Sequence, residues 1–130
     1  NALMMPDRQA PYLMPVARVM QLFRAHVGQQ AIAPVRVPSD LDVTASCTGD
    51  RIFLHVINTD RTRSVKVRLA VDGRKVRTGS VFEIAAEPEF EVWSETRDVI
   101  APKEHPLPDD GEWTFPAASV SAVELDTVEV

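Results

Sequence analysis

Cysteine, tyrosine, glycine and histidine are all scarce in this 130-residue chain, which has one Cys, one Tyr, five Gly and three His. A lone cysteine excludes an internal disulfide framework. Cys47 falls in the alternation Leu41, Val43, Ala45, Cys47, with no base as its sequence neighbour, so it reads as a small core residue rather than a reactive thiol. Five glycines and ten prolines are too few for a disordered tract, and none forms a phosphate-cradling loop or a Gly-x-Ser-x-Gly elbow. His26, His55 and His105 are scattered, with no zinc spacing and no Asp-rich calcium loop around them, so no metal or cofactor is expected. No apolar run approaches the roughly 18 residues that mark a membrane span, and the first residues do not read as a signal peptide. The expected location is cytoplasmic. The chain opens on Asn1 rather than Met, so further upstream sequence is expected.

Apolar residues make up 45% of the chain, enough to bury a core. Charge is unevenly spread. Residues 1–81 carry 12 Lys/Arg and 6 Asp/Glu, whereas residues 82–130 carry 2 and 13, giving the net −5. The acids are interleaved with strand and turn residues and read as a solvated face. Net acidity argues against nucleic acid or an anionic membrane as a partner.

Periodicity changes near Val35. Upstream, Val16, Val19, Met20, Phe23 and Val27 recur at spacings that line one face of a helix. Pro15 suits its first turn, Gly28 the position of a C-terminal cap, and His26 in the last turn favours the negative end of the helix dipole. A lone helix has no partner of its own, so this stripe is expected to pack on the downstream domain or in a homo-oligomer. Pro34 and Pro38 bracket a stiff connector.

Downstream the pattern is of strands. Leu41 to Cys47 alternates, and Arg51 to Asn58 is nearly continuously apolar, as a strand covered on both faces would be. Val65, Val67, Leu69 and Val71 alternate, Asp72-Gly73 supplies a turn, and Val81 to Ile84 forms a further strand. Phe90 to Trp93, a stretch near Asp98 to Ala101, Glu112 to Phe115 and Ser119 to Leu125 complete the set. The fold expected is all-β: an antiparallel, jelly-roll-like β-sandwich preceded by one α-helix. The domain division expected is 1–36 for the helix and connector and 37–130 for the sandwich.

Candidate chemistry is thin. Glu89 and Glu91, within the acidic run Glu83, Glu87, Glu89, Glu91, Glu95, would sit about 7 Å apart on one strand face, a separation that glycoside-cleaving carboxylate pairs use. They flank Phe90 and Val92, which claim the inner face, so both are read as solvated. Trp93, Trp113 and Tyr12 are the aromatic candidates for stacking on sugar. Trp93 is out of phase with Phe90 and Val92 and is the one expected at the surface. Trp113 shares a face with Phe115 and is expected in the core.

Several short segments together resemble the C-terminal end of α-L-arabinofuranosidases of glycoside hydrolase family 51. Asn1-Ala2-Leu3, Ala10-Pro11-Tyr12 and Leu22-Phe23-Arg24-Ala25-His26 are similar to the close of that family's catalytic barrel. Ile52 to Asn58 is similar to a sandwich strand ending in Val-Asn, Val99-Ile100-Ala101-Pro102 to a Val-x-Pro turn, and Phe115-Pro116-Ala117-Ala118-Ser119-Val120 to the final strand. Ala10 replaces the usual Thr, Phe23 a frequent Tyr, and Arg97-Asp98 an Asn-Pro pair. The resemblance implies a parent enzyme that hydrolyses terminal arabinofuranosides with retention, using two glutamates on a (β/α)₈ barrel. No residue here matches either catalytic motif, so no catalytic residue is assigned and the chain alone is expected to be inactive. It implies as partners the enzyme's own catalytic barrel and, through it, plant-type arabinose-containing polysaccharide. It also implies that the sandwich can recruit strands from the enzyme's N-terminus, leaving a gap in one sheet of this chain. The alternative is a stand-alone sandwich that binds carbohydrate or protein.

Overall fold

The computed structural model describes residues 3–4, 12–87 and 100–130. A two-stranded ribbon, β1 (Leu3–Met4) with β2 (Tyr12–Leu13), leads into α1 (Pro15–Ala25). There follow β3 (Gln30–Ile32), β4 (Leu41–Thr48), β5 (Arg51–Asn58), β6 (Val65–Arg68), β7 (Arg74–Ala85), β8 (Lys103–Pro106), β9 (Glu112–Phe115) and β10 (Ser119–Glu129). Every pairing among the described residues is antiparallel. The main sheet runs β3-β4-β5-β10-β7-β8, and β6 with β9 forms the second layer. The expected all-β sandwich with one leading helix is therefore the fold, with unequal layers of six and two strands among the described residues.

The main sheet is covered on both faces, which explains the nearly continuous apolar character of β5. On one face Leu41, Ile52, Val56, Val81, Val123 and Leu125 bury against Phe115, with Val65, Val67 and Trp113 packed around them. On the other, Ile84 and Ala122 bury against Leu22 of α1 and Ile100. Successive residues of β10 alternate between these two cores, as the period of two requires.

The helix begins as its sequence suggests. Pro15 occupies the first turn, and the Met14 carbonyl accepts from the Ala17 and Arg18 amides. Its end and its buried face differ from expectation. The helix stops at Ala25, where the His26 amide closes the last turn on Phe23. Leu22, outside the expected stripe, is the buried anchor at 3% exposure, while Val19 and Phe23 are half-buried beside it. Val16, Met20 and Val27 remain exposed. Gly28 is not a left-handed cap. A Cβ there would lie 2.5 Å from the Cys47 backbone, so the missing side chain permits close approach to β4.

Other strand boundaries shift as well. Pairing of β6 stops at Arg68, although the Leu69 amide still donates to the Gly111 carbonyl. β7 begins at Arg74 rather than Val81 because the Asp72-Gly73 turn, with Gly73 at φ 75°, delivers the chain straight onto β10. The expected strand at Phe90 to Trp93 lies outside the described residues. Of the stretch near Asp98 to Ala101, Ile100 and Ala101 are described, and they form no strand; Ile100 plugs the helix-side core. Cys47 is half-buried against the sandwich core.

One polar group ties the two layers together. Asn58, only 1% exposed, donates through Nδ2 to the carbonyls of Arg63, Pro116 and Phe115 at 2.9, 3.0 and 3.3 Å, and its Oδ1 accepts from the Asp60 amide. Removing a buried donor orphans several carbonyls at once. Asn58→Ala is expected to lose about 2–4 kcal/mol in urea unfolding, and Asn58→Asp, which turns the donor into an acceptor, no less.

The next turn is held by Asp60, whose carboxylate accepts from the Thr62 and Arg63 amides. Those bonds hold it below the usual carboxylate range. Asp126 is likewise depressed, chiefly by its hydrogen bond from Arg51. A depressed native pKa adds stability that is complete above the unfolded value of about 4 and disappears as pH falls through the native one. The melting temperature should therefore begin to drop below about pH 4, and the pair Asp60→Asn with Asp126→Asn should flatten that drop.

Candidate functional site

Two places stand out: the seam where α1 meets the main sheet, and an open apolar cleft on the sheet's other face. The seam is set by register. His55 on β5, Ala122 on β10 and Phe82 on β7 lie in one row across three strands. Ala122, fully buried, is the small residue between two rings, and the helix end settles over that trough. Phe23 stacks on His55 with centroids 4.0 Å apart and planes 2° from parallel. His26 stacks on Phe82 at 3.9 Å.

Hydrogen bonds complete the joint. His26 Nδ1–H donates to Glu124 at 2.6 Å, with both side chains largely covered at 17% and 25% exposure. His55 Nε2–H donates to the His26 carbonyl at 2.8 Å, satisfying an acceptor at a helix end that would otherwise need water. The Gly28 and Gln29 amides then donate to Ser46 and Thr48 of β4. Sequence reading assigned His26 to the helix dipole and left His55 without a role. The structure brings the two together across 29 positions, a pairing that no local spacing signals. Both imidazoles are committed to holding the helix, so the seam is a structural weld rather than an acid–base pair.

The cleft follows from the unequal layers. Among the described residues six strands present more inner surface than two can cover, and a cavity of about 380 Å³ opens beside β6. One wall is the inner face of β4 and β5, including Val43 and Leu54; the second is Val67 to Asp72; the third is the connector, residues 32–38. Antiparallel ladders alternate the direction of their backbone groups. Because Leu69 bonds towards β9, Lys66 and Arg68 direct their N–H and C=O groups away from it, and of the two Arg68 lines the cleft. Among the described residues no strand pairs with that edge. The surface is thus an extended apolar floor beside a row of backbone donors and acceptors, suited to receiving a strand.

The individual candidates separate clearly. Trp93, with Glu89, Glu91 and Glu95, lies outside the described residues. Trp113 packs half-buried against the sandwich core, as expected, with its ring 5.3 Å from that of His105. Tyr12 lies on β2 opposite Met4. Glu87 is exposed, but Glu83 faces the sandwich interior beside Ser121, its side chain 15% exposed and 3.9 Å from His105. Sequence reading placed Glu83 in a solvated run and missed this, because it could not tell where β7 crosses beneath the second layer. Among the described residues no three His, Cys, Asp or Glu side chains gather to hold a metal.

No family profile and no curated protein matches this sequence. Solved structures do match in shape. An α-L-arabinofuranosidase from Thermotoga maritima, in complex with arabinose, superposes on all of this chain with a TM-score of 0.77 at 21% identity. The family 51 α-L-arabinofuranosidase from Thermotoga petrophila covers 91% of it at a TM-score of 0.74 and 20% identity. This chain has the fold of about one third of an α-L-arabinofuranosidase: it spans 32% and 30% of those two enzymes. The same fold occurs in a family 30 xylanase from Clostridium acetobutylicum, with a TM-score of 0.64 and 16% identity over 88% of the chain. These likenesses show the fold and select neither an activity nor a substrate.

The seam yields a test. A double-mutant cycle with His26→Ala and Glu124→Gln should give a coupling of about 1–3 kcal/mol, the size of a hydrogen bond to a charged group. Amide exchange should quicken in α1 well before it does in β5 or β10.

Proposed function

We propose that this chain is a non-catalytic β-sandwich domain of an α-L-arabinofuranosidase-like glycoside hydrolase, serving to brace the catalytic barrel. Residues 1–36 would be the barrel's closing helix and connector, and 37–130 the sandwich. The observation that carries this reading is the superposition of nearly the whole chain on only about a third of such enzymes. The remainder of those enzymes supplies what this chain does not display. In this reading the parent reaction is retaining hydrolysis of terminal arabinofuranosides, and its two carboxylates lie on the barrel.

Two surfaces support a bracing role. Val16 and Met20 on α1, and Val27 just beyond its end, each have half or more of the residue in solvent, on the side where the barrel would sit. The cleft beside β6 would receive an extended segment of the same enzyme, which would bond to Lys66 and Arg68 and bury alternate apolar side chains on β4 and β5.

The reading is tested first by the coding sequence adjoining Asn1, which should encode, in frame, a (β/α)₈ barrel with two glutamates at strand ends. An independent start codon there with no barrel would sink it. The chain by itself should leave 4-nitrophenyl α-L-arabinofuranoside unhydrolysed. Met20→Asp should alter the isolated chain's stability by less than about 0.5 kcal/mol, as exposed substitutions do. In the complete enzyme it should lower the melting temperature by several degrees. An unchanged melting temperature would remove the helix from the barrel contact.

A further inference from the structure

The chain contains two Asp-Gly steps, Asp72-Gly73 ahead of β7 and Asp110-Gly111 ahead of β9. In such a step the glycine amide can attack the preceding carboxyl group, because no Cβ shields its nitrogen. Both glycines sit at φ 75°, so the backbone at the glycine is alike in the two turns. Their surroundings differ. The Gly111 amide donates to the Pro108 carbonyl at 2.9 Å, and the Asp110 carboxylate accepts from the Glu112 amide at 2.9 Å. A Cβ on Gly111 would meet the Leu69 carbonyl oxygen at 2.9 Å, so that turn is crowded as well. The Gly73 amide has no acceptor among the described residues, and nothing lies within 4 Å of where its Cβ would be. The Asp72 side chain is 71% exposed, and the ion pair that ties it to Arg36 at 3.0 Å is open to water on both sides, which makes it a weak tether. One turn therefore leaves both reacting groups free, and the other holds both.

From this contrast we propose that Asp72-Gly73 is a site of spontaneous backbone isomerisation, and that hydrogen bonding protects Asp110-Gly111 from the same reaction. The Gly73 nitrogen attacks Cγ of the Asp72 carboxylic acid. The N–Cγ bond forms, the Cγ–OH bond breaks, and the amide proton leaves with the hydroxyl as water. The resulting succinimide ring then takes up one water. Addition at Cγ restores aspartate. Addition at the Asp72 backbone carbonyl carbon gives isoaspartate, whose main chain runs through Cβ and Cγ and whose former carbonyl is the free carboxylate. Water is lost and regained, so the mass is unchanged and no further reagent is needed. The added backbone carbon falls inside the turn that the Arg74 amide closes on the Val71 carbonyl at 3.2 Å. That turn sets the first residues of β7 against the end of β10, so isomerisation loosens this end of the main sheet and shifts the carboxylate that Arg36 meets.

The test is prolonged incubation of the folded chain in mildly acidic buffer at physiological temperature, followed by peptide mapping. Isoaspartate is read at each site by enzymatic carboxyl methylation and by a retention shift without a mass change. It should accumulate at Asp72 about two- to tenfold faster than at Asp110, the population factor for opening one hydrogen bond. In guanidinium chloride, where neither turn persists, the ratio of the two rates should fall towards one. Asp72→Glu, whose longer side chain would have to close a larger ring, should remove the signal from the first site and leave the second unchanged. Equal rates in the folded chain, or a faster rate at Asp110, would overturn the proposal. A preference for Asp72 that survives undiminished in denaturant would overturn it too, since it would owe nothing to the fold.

Discussion

The double pairing of β10 is the constraint on which the structure rests. Ser119 to Asp126 pair with β5, and Ser119 to Glu129 pair with β7, so one strand joins the halves of the main sheet. Val123 and Leu125 enter the sandwich core while Ala122 enters the helix-side core. Neither core exists without the other, because the same strand floors both. The small side chain of Ala122 also makes the trough for the two aromatic–imidazole stacks. A larger residue there would lift α1 off the sheet and expose the carbonyl and amides that His55, Ser46 and Thr48 now satisfy.

This arrangement distinguishes surfaces that are finished from surfaces that are not. The seam is finished: its rings stack and the polar atoms that join them have partners. The cleft and the outer side of α1 are unfinished, with apolar groups facing water and an edge of backbone groups unpaired among the described residues. A domain meant to work alone gains nothing from such surfaces, since exposed strand edges invite aggregation. A domain that completes a larger body needs them. The chain spans 20–32% of the solved glycoside hydrolases whose fold it shares.

Much of the fold could be read in advance where burial leaves a periodic trace. β4, β5 and β10 carry runs of alternating or continuous apolar residues, and α1 carries a helical one. β3 and β8 could not be read, being three and four residues long and mostly exposed, so their existence depends on a neighbouring strand. The first half of β7, with Lys75, Arg77 and Thr78, looks like loop because only its backbone is needed by β10. The helix stripe was misaligned by about one position: Leu22 sits beside the exposed apolar residues in sequence, and only the sheet's position decides which of them is covered. The roles of Asn58 and His55 were beyond sequence reasoning, since each depends on partners brought from distant strands.

The place of β10 in the chain order bears on how the domain comes into being. β5 and β7 are made first, yet they do not touch as neighbours in the sheet; the strand that separates them is made after both. Until it has left the ribosome, β3-β4-β5 and β7-β8 are two small antiparallel pieces with open edges and no shared core. Folding of the main sheet must therefore wait for the last strand and close by insertion from the middle. The nascent domain thus passes through a period in which it most needs protection from other chains.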